Sequence, residues 1–138
     1  MTYLEWGDDF LLGVDELDAH HKHMVDLLNR VYTACLIQKS AAEFSLIVTE
    51  LANYMDYHFS AEEQIMKKHS YPGLNEQIRG HEEFRKKMED FIYGITDTKY
   101  GTVIDKLQLT EILAGWVKEH LTGDDIKLGV YLREHPLL

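Results

Sequence analysis

Residues 40–68 read SAAEFSLIVTELANYMDYHFSAEEQIMKK, and this stretch decides the fold. Ser40, with Glu43 three residues later, makes a capping box that starts a helix. Behind it Phe44, Ile47, Leu51, Tyr54, His58, Glu62 and Ile65 recur in steps of three and four, the spacing of one helical face. The face is apolar at first and then carries His58 and Glu62, four residues apart and so side by side. A carboxylate turned into a core is costly unless it is paired or bound to a cation. A stripe that takes Glu62 inward therefore predicts a cation.

The same periodicity extends in both directions. Upstream, Leu17, His21, Met24, Leu28, Val31 and Cys35 stripe a first helix from about Leu17 to Ile37. Ser70-Tyr71-Pro72-Gly73 breaks the chain. A third helix follows to about Ile95 on Gln77, His81, Phe84, Met88, Phe91 and Ile95, and Gly94 and Gly101 flank the next turn. A fourth runs from about Thr102 to Leu121 with Leu109, Leu113, Trp116 and His120 inward. Gly123 loosens its end, and a tail from Ile126 to Leu138 is expected to pack back through Leu128, Tyr131 and Leu132. Residues 1 to about 16 form an arm whose Trp6 caps one end. Short connections make neighbouring helices antiparallel. The expectation is an all-α, antiparallel up-down-up-down four-helix bundle with an N-terminal arm and a short C-terminal tail, one domain over residues 1–138.

Composition narrows the function. Fourteen Lys and Arg against 24 Asp and Glu give a net charge of −10, which excludes the clustered basic surface that nucleic acid needs and disfavours anionic membranes. No run of apolar residues is long enough to cross a membrane, and MTYLEWGDDF lacks the pattern of a secretory signal. A cytoplasmic protein without an attached signalling domain is expected. Its one cysteine, Cys35, permits no internal disulfide and reads as a small core residue.

The chemistry lies in polar residues on apolar stripes: His21, His58 with Glu62, Gln77 with His81, and His120 followed by Asp125. Five residues of α-helix leave His120 and Asp125 about 140° apart, so both point inward only if the helix unwinds, as Gly123 would permit. Imidazoles with carboxylates suit iron, zinc or manganese, and the lack of clustered cysteines disfavours structural zinc or an iron–sulfur cluster. Four imidazoles and two carboxylates are too many for one ion with an open position; they suit two ions bridged by Glu62 and Asp125. Among the other histidines, His20 and His23 read as surface or partner-facing. His69 reads as a charge partner at a helix C-terminus, with substitution for a missing imidazole as a remote alternative, and His135 sits in the tail. Tyr54 either hydrogen-bonds within the site or is satisfied by a backbone carbonyl. Lys67-Lys68 and Arg85-Lys86-Lys87 read as solvated faces.

Gly13-Val14, Asp18-Ala19-His20-His21, the block His58-Phe59-Ser60-Ala61-Glu62-Glu63 with Met66 and Tyr71-Pro72, then Trp116-Val117-Lys118-Glu119-His120 and Asp125 together resemble the hemerythrin family, bacteriohemerythrins in particular, over nearly the whole chain. The resemblance implies two Fe ions in an oxo- or hydroxo-bridged di-iron centre. His21 and His58 would hold one iron, His81 and His120 the other, and Glu62 and Asp125 would bridge them. Dioxygen would be the ligand, in a pocket lined by Met24, Phe59, Trp116, Val117 and Leu121. The departure is in the third helix, where the family's His-x-x-x-His reads Gln77-Ile78-Arg79-Gly80-His81. Gln77 either lends its amide oxygen as a weak ligand or holds a water in the gap. In the second case the His81/His120 iron is expected to bind more weakly or to keep an open position. Two functions share these residues: reversible dioxygen binding for storage, transport or sensing, and a di-iron enzyme with peroxidase-like or ferroxidase-like activity. A third, an interaction module without metal chemistry, conflicts with the inward carboxylates.

Overall fold

The computed structural model describes residues 4–96 and 103–135. A 3-10 turn at Asp8–Phe10 precedes α1 (Asp15–Leu36), α2 (Ala41–Lys68), α3 (Leu74–Thr96) and α4 (Val103–Glu119). α4 passes through a π turn (His120–Asp124) into α5 (Asp125–Glu134). α2 packs against α1 and α3, and α4 packs against α1. The result is the all-α, antiparallel four-helix bundle that the periodicity predicts. No described helix is long and apolar enough to cross a membrane.

Local chemistry sets the ends of α2. The Glu43 N–H donates to Ser40 Oγ at 3.1 Å, while the Glu43 carboxylate accepts from the Ser40 hydroxyl and the Lys39 ammonium. α1 and α2 both end in a left-handed residue, Gln38 at φ 56° and Ser70 at φ 52°. In each turn the next N–H reaches back five residues, Lys39 to Ala34 and Tyr71 to Met66, satisfying carbonyls that the helix end leaves free. The connection carrying Gly101 and Thr102 lies outside the described residues, as does the end of the tail, and the Ile95 side chain is not described.

Two expectations change. The buried line of α2 is Phe44, Val48, Leu51, Met55, His58, Phe59, Glu62 and Met66, with Ile47, Tyr54 and Ile65 at its half-buried margin. A helix packed on both sides by neighbours buries a face wider than a single seam. The described part of the C-terminal segment packs through Leu128, Tyr131 and Leu132 as expected, but as a continuation of α4 and not by a reversal of the chain. Helical backbone continues through Glu119, Asp124 and Asp125, and α5 carries Leu128 and Leu132 into a small cluster with Leu12, Leu17 and Met66. A larger cluster, from Phe10 and Met24 through Phe44, Leu51 and Leu113, fills the rest of the bundle.

The arm lies along α1 instead of capping an end. Leu4 exchanges two hydrogen bonds with the Asn29 side chain, both 2.9 Å. Trp6 stacks on Phe10, and Leu12 reaches α5. There the Leu12 carbonyl accepts from Arg133 at 2.7 Å and lies so close to Gly129 that a Cβ would meet its oxygen at 2.1 Å.

Candidate metal centre

Between the two apolar clusters, the inner face of every helix turns polar. His21 is set by the arm. Gly13 adopts φ +97°, a conformation that favours glycine, while a Cβ there would meet only the movable end of the Arg133 side chain, Nη1 at 2.6 Å. The turn it makes aims the N–H groups of Leu12 and Gly13 at the Asp18 carboxylate, 2.8 and 3.3 Å away. One turn of helix later, His21 Nδ1–H donates to the Phe10 carbonyl at 3.1 Å, which leaves Nε2 facing Asp125 Oδ2 at 2.8 Å. The motif Gly13…Asp18-x-x-His21 is thus one device for aiming an imidazole.

The other three imidazoles follow the same rule. His58 Nδ1 lies 3.1 Å from His20 Nδ1, and its Nε2 is 3.1 Å from Glu62 Oε1. His81 Nδ1 donates to Glu63 Oε2 at 2.8 Å, and its Nε2 is 3.4 Å from Glu62 Oε1. His120 Nδ1 faces Asp124 Oδ2 at 3.8 Å, and its Nε2 is 3.2 Å from both Glu62 Oε1 and Asp125 Oδ1. In His21, His58 and His81 Nδ1 is held by a hydrogen bond from outside, in His120 it faces a carboxylate beyond hydrogen-bond distance, and in all four Nε2 is turned toward the carboxylates, the usual orientation of metal-ligating histidine.

The π turn brings His120 and Asp125 together. Its i→i+5 pattern seats Asp125 above His120, so the helix widens where unwinding was expected. Glycine's freedom is not what permits this: Gly123 has no left-handed φ, and a Cβ there would meet nothing within 4 Å.

These residues fit a cation. Glu62 and Asp125 are wholly buried. His21 Nε2, His58 Nε2, His81 Nε2, Glu62 Oε2 and Asp125 Oδ2 crowd together, yet none makes a hydrogen bond of acceptable geometry. Buried polar atoms are rarely left so, and a shared ion satisfies them together. Two overlapping groups have the spacing of metal ligands: His21, His58, Glu62 and Asp125; and Glu62, His81 and His120. The electrostatics express the same demand for positive charge. Burial alone lowers His58, but the Glu62 and Asp125 carboxylates outweigh it and lift it to about 9. Burial likewise opposes charge on His120, and Asp125 and Glu62 raise it well above its usual range. Burial pushes the Asp125 carboxyl up, but the His120 charge and neighbouring contacts take it well below the ordinary value. Burial and Asp125 also push Glu62 up, and the His58 and His120 charges bring it down.

Gln77 is buried beside this cluster. Its Nε2 donates to the Asp124 carbonyl at 3.2 Å and to Asp125 Oδ1 at 3.4 Å, and its buried Oε1 has no hydrogen-bond partner. The amide thus presents its NH2 toward Asp125, and its unpartnered Oε1 stays available as a weak ligand atom. Met24, Phe59, Val117 and Leu121 are fully buried and Trp116 is half-buried. Phe59 stacks on His81 with centroids 3.9 Å apart, and Trp116 stacks on His120 at 4.9 Å.

Two surface assignments change, and Glu63 gains a role. His20 is buried against His58, with burial and that neighbour lowering its pKa. A face three positions wide per heptad, which takes in His20 and Leu27, contains it; a single seam does not. Arg85 is tied to Asp56 at 2.6 Å and Glu82 at 2.7 Å, so it is not merely a solvated charge. Glu63, passed over as the neighbour of Glu62, holds His81. Elsewhere, His69 Nδ1–H donates to the Ile65 carbonyl at the end of α2, away from the cluster. His23 lies against the Tyr54 ring, His135 stacks on Tyr131, and Tyr54 packs edge-on to His20.

Comparison with known proteins agrees with this geometry. The family described as "Hemerythrin HHE cation binding domain" matches residues 12–130. The chain is 28% identical over 135 residues to a bacteriohemerythrin of Stenotrophomonas maltophilia, covering 98% of this chain and 85% of that one. It is 28% identical over 123 residues to one of Clostridium acetobutylicum, covering 87% and 94%, and 26% identical to one of Campylobacter jejuni, covering 97% of each. A crystal structure of a leucine-to-phenylalanine mutant shares the fold, with a TM-score of 0.85 at 21% identity over 96% of this chain and 98% of that one. With the match running from the arm to α5, and every helix contributing to a buried cluster able to hold metal, the chain belongs to the hemerythrin family.

Proposed function

We propose that this chain holds two iron ions among His21, His58, His81, His120, Glu62 and Asp125 and binds dioxygen reversibly beside them, as the name of its bacteriohemerythrin relatives suggests. The observation that carries this reading is the convergence of four Nε2 atoms on two buried carboxylates, in two overlapping groups that share Glu62. A ferrous pair supplies the two electrons that reversible capture of dioxygen needs. The chain supplies geometry and dryness. Nδ1 partners fix His21, His58 and His81 so that the Nε2 lone pair faces inward. Glu62 and Asp125 each lie within reach of rings from both groups, which suits them to bridge. Met24, Phe59, Val117, Leu121 and Trp116 form the wall proposed for the gas; it carries no carboxylate or amine that would deliver a proton. A cytoplasmic setting belongs to the same reading, and the single cysteine, Cys35, is buried.

Metal analysis with visible spectra through cycles of deoxygenation and air tests it. Two irons per chain and a band that returns each cycle are expected; a folded chain that takes up no iron ends the reading.

One observation favours the enzymatic alternative. A small hollow of about 60 Å³, lined by Tyr71, Gly73, Glu76, Gln77, Asp124 and Lys127, reaches Gln77 from outside, so a water-sized molecule could approach the His81/His120 side. Steady turnover of peroxide with a reductant, abolished by Gln77→His, supports this reading; equal turnover in the variant overturns it.

A further inference from the structure

We propose that Glu63, steadied by Arg85, makes the His81/His120 position the more strongly donating of the two metal positions and so offsets the imidazole that Gln77 does not provide. The inference rests on the two-metal reading above and extends it to a ranking of the two positions.

With glutamine at position 77, each position has two imidazoles and shares the same carboxylates. What distinguishes them is what stands behind the rings. His21 and His58 have neutral partners, the Phe10 carbonyl and the His20 imidazole, each at 3.1 Å. His81 has a carboxylate at 2.8 Å, and His120 faces a second, Asp124, at 3.8 Å. A hydrogen bond from Nδ1–H to a carboxylate is charge-assisted and makes Nε2 a more basic ligand; a neutral acceptor does less. The charged backing therefore falls on one side of the centre only, the side that departs from the family pattern.

Glu63 is also held in a way that preserves its charge for His81. Arg85 approaches it only loosely, Nη2 lying 3.8 Å from Oε2, because the guanidinium is fastened more closely to Asp56 and Glu82. That guanidinium rests over the Phe59 ring at 5.4 Å, and Phe59 in turn stacks on His81. Glu63, Arg85, Phe59 and His81 thus form one block across α2 and α3. Glu63 touches no metal in this scheme; it is a positioning residue acting through His81.

The test is a stepwise cobalt(II) titration of the full chain, with paramagnetically shifted imidazole signals showing which pair is occupied first, followed by redox titration of the iron-loaded protein. The first cobalt is expected at His81/His120. Glu63→Gln should weaken that position by about 10- to 100-fold, leave the His21/His58 position nearly unchanged, and raise the reduction potential of the iron. Glu63→Asp should recover part of both. Arg85→Met, which keeps an apolar stem over Phe59 but removes the guanidinium that steadies Glu63, should weaken the same position by less than Glu63→Gln does. Thermal unfolding of the metal-free variants separates these effects from loss of fold. If wild type binds two cobalts but the first sits at His21/His58, or Glu63→Gln weakens both positions equally or neither, this proposal fails alone. A wild-type chain that binds fewer than two overturns the two-metal reading and this one with it.

Discussion

The two halves of α2 carry the same stripe to different ends. Phe44, Val48, Leu51 and Met55 bury apolar atoms whose requirement is volume, so any neighbour of the right shape serves. His58 and Glu62 continue that face one turn on and are just as buried, but each of their inward atoms requires a partner of particular charge at a particular distance. Helix periodicity is indifferent to this change. One end of the bundle is stabilised by burial whatever the solution contains; the other balances charges, and its stability follows what the solution offers to neutralise them.

Perturbations should therefore separate the halves. The largest effect is expected from Phe44→Ala, a cavity in the apolar half, costing about 3–5 kcal/mol equally with and without metal, with metal content per folded chain unchanged. Chemical denaturation under both conditions measures this. A metal-sensitive Phe44→Ala penalty would show that the halves are coupled.

Removing metal should act on the polar half alone. With free metal at about a thousand times its dissociation constant, binding stabilises by roughly 4 kcal/mol, and a chelator should abolish this in wild type and in Phe44→Ala alike.

Acidity should discriminate next, by roughly 3 kcal/mol. His58 in the metal-free protein is raised to about 9 from 6.5. Its contribution is complete below pH 6.5 and is lost as pH rises through about 9. Glu62 and Asp125 are shifted down, so theirs is present above the ordinary carboxylate range and lost as pH falls below it. Metal-free protein should be most stable between these limits, and bound cations, replacing protons, should flatten the alkaline fall. An identical alkaline fall with and without metal would contradict this account.

The smallest effect should follow Gly129→Ala, which drives a methyl group into the Leu12 carbonyl. A loss of about 1–3 kcal/mol is expected. Because the same arm supplies the Phe10 acceptor to His21, metal affinity should fall with it; a loss of stability alone would show that the arm is only packing.

What was legible in the sequence was what local spacing encodes. Ser40 and Glu43 mark the start of α2, and His58 and Glu62 share a face because four residues nearly complete a turn. The conflict between His120 and Asp125 was legible too, since five residues do not. Its resolution was not, because a π turn is recognised by backbone hydrogen bonding and Gly123 offered a false reason. His20 and Glu63 were missed because their meaning lies across helices: each is adjacent in sequence to a candidate ligand and becomes informative only when α1 meets α2, or α2 meets α3. The donor orientation of Gln77 depends on the Asp124 carbonyl, which only the folded junction places beside it.

The junction of α4 and α5 also bears on how the chain tolerates changes of length. A π turn amounts to an α-helix with one residue spliced in. Excising Gly123 would leave His120 and Asp125 four positions apart, the interval His58 and Glu62 already use, and both would still face inward. Excising one residue near Gly115 would instead swing everything beyond it by about 100° and scatter the cluster. The widened turn is thus a slack link in an otherwise rigid rod, the place along α4 and α5 where a one-codon deletion is most readily absorbed.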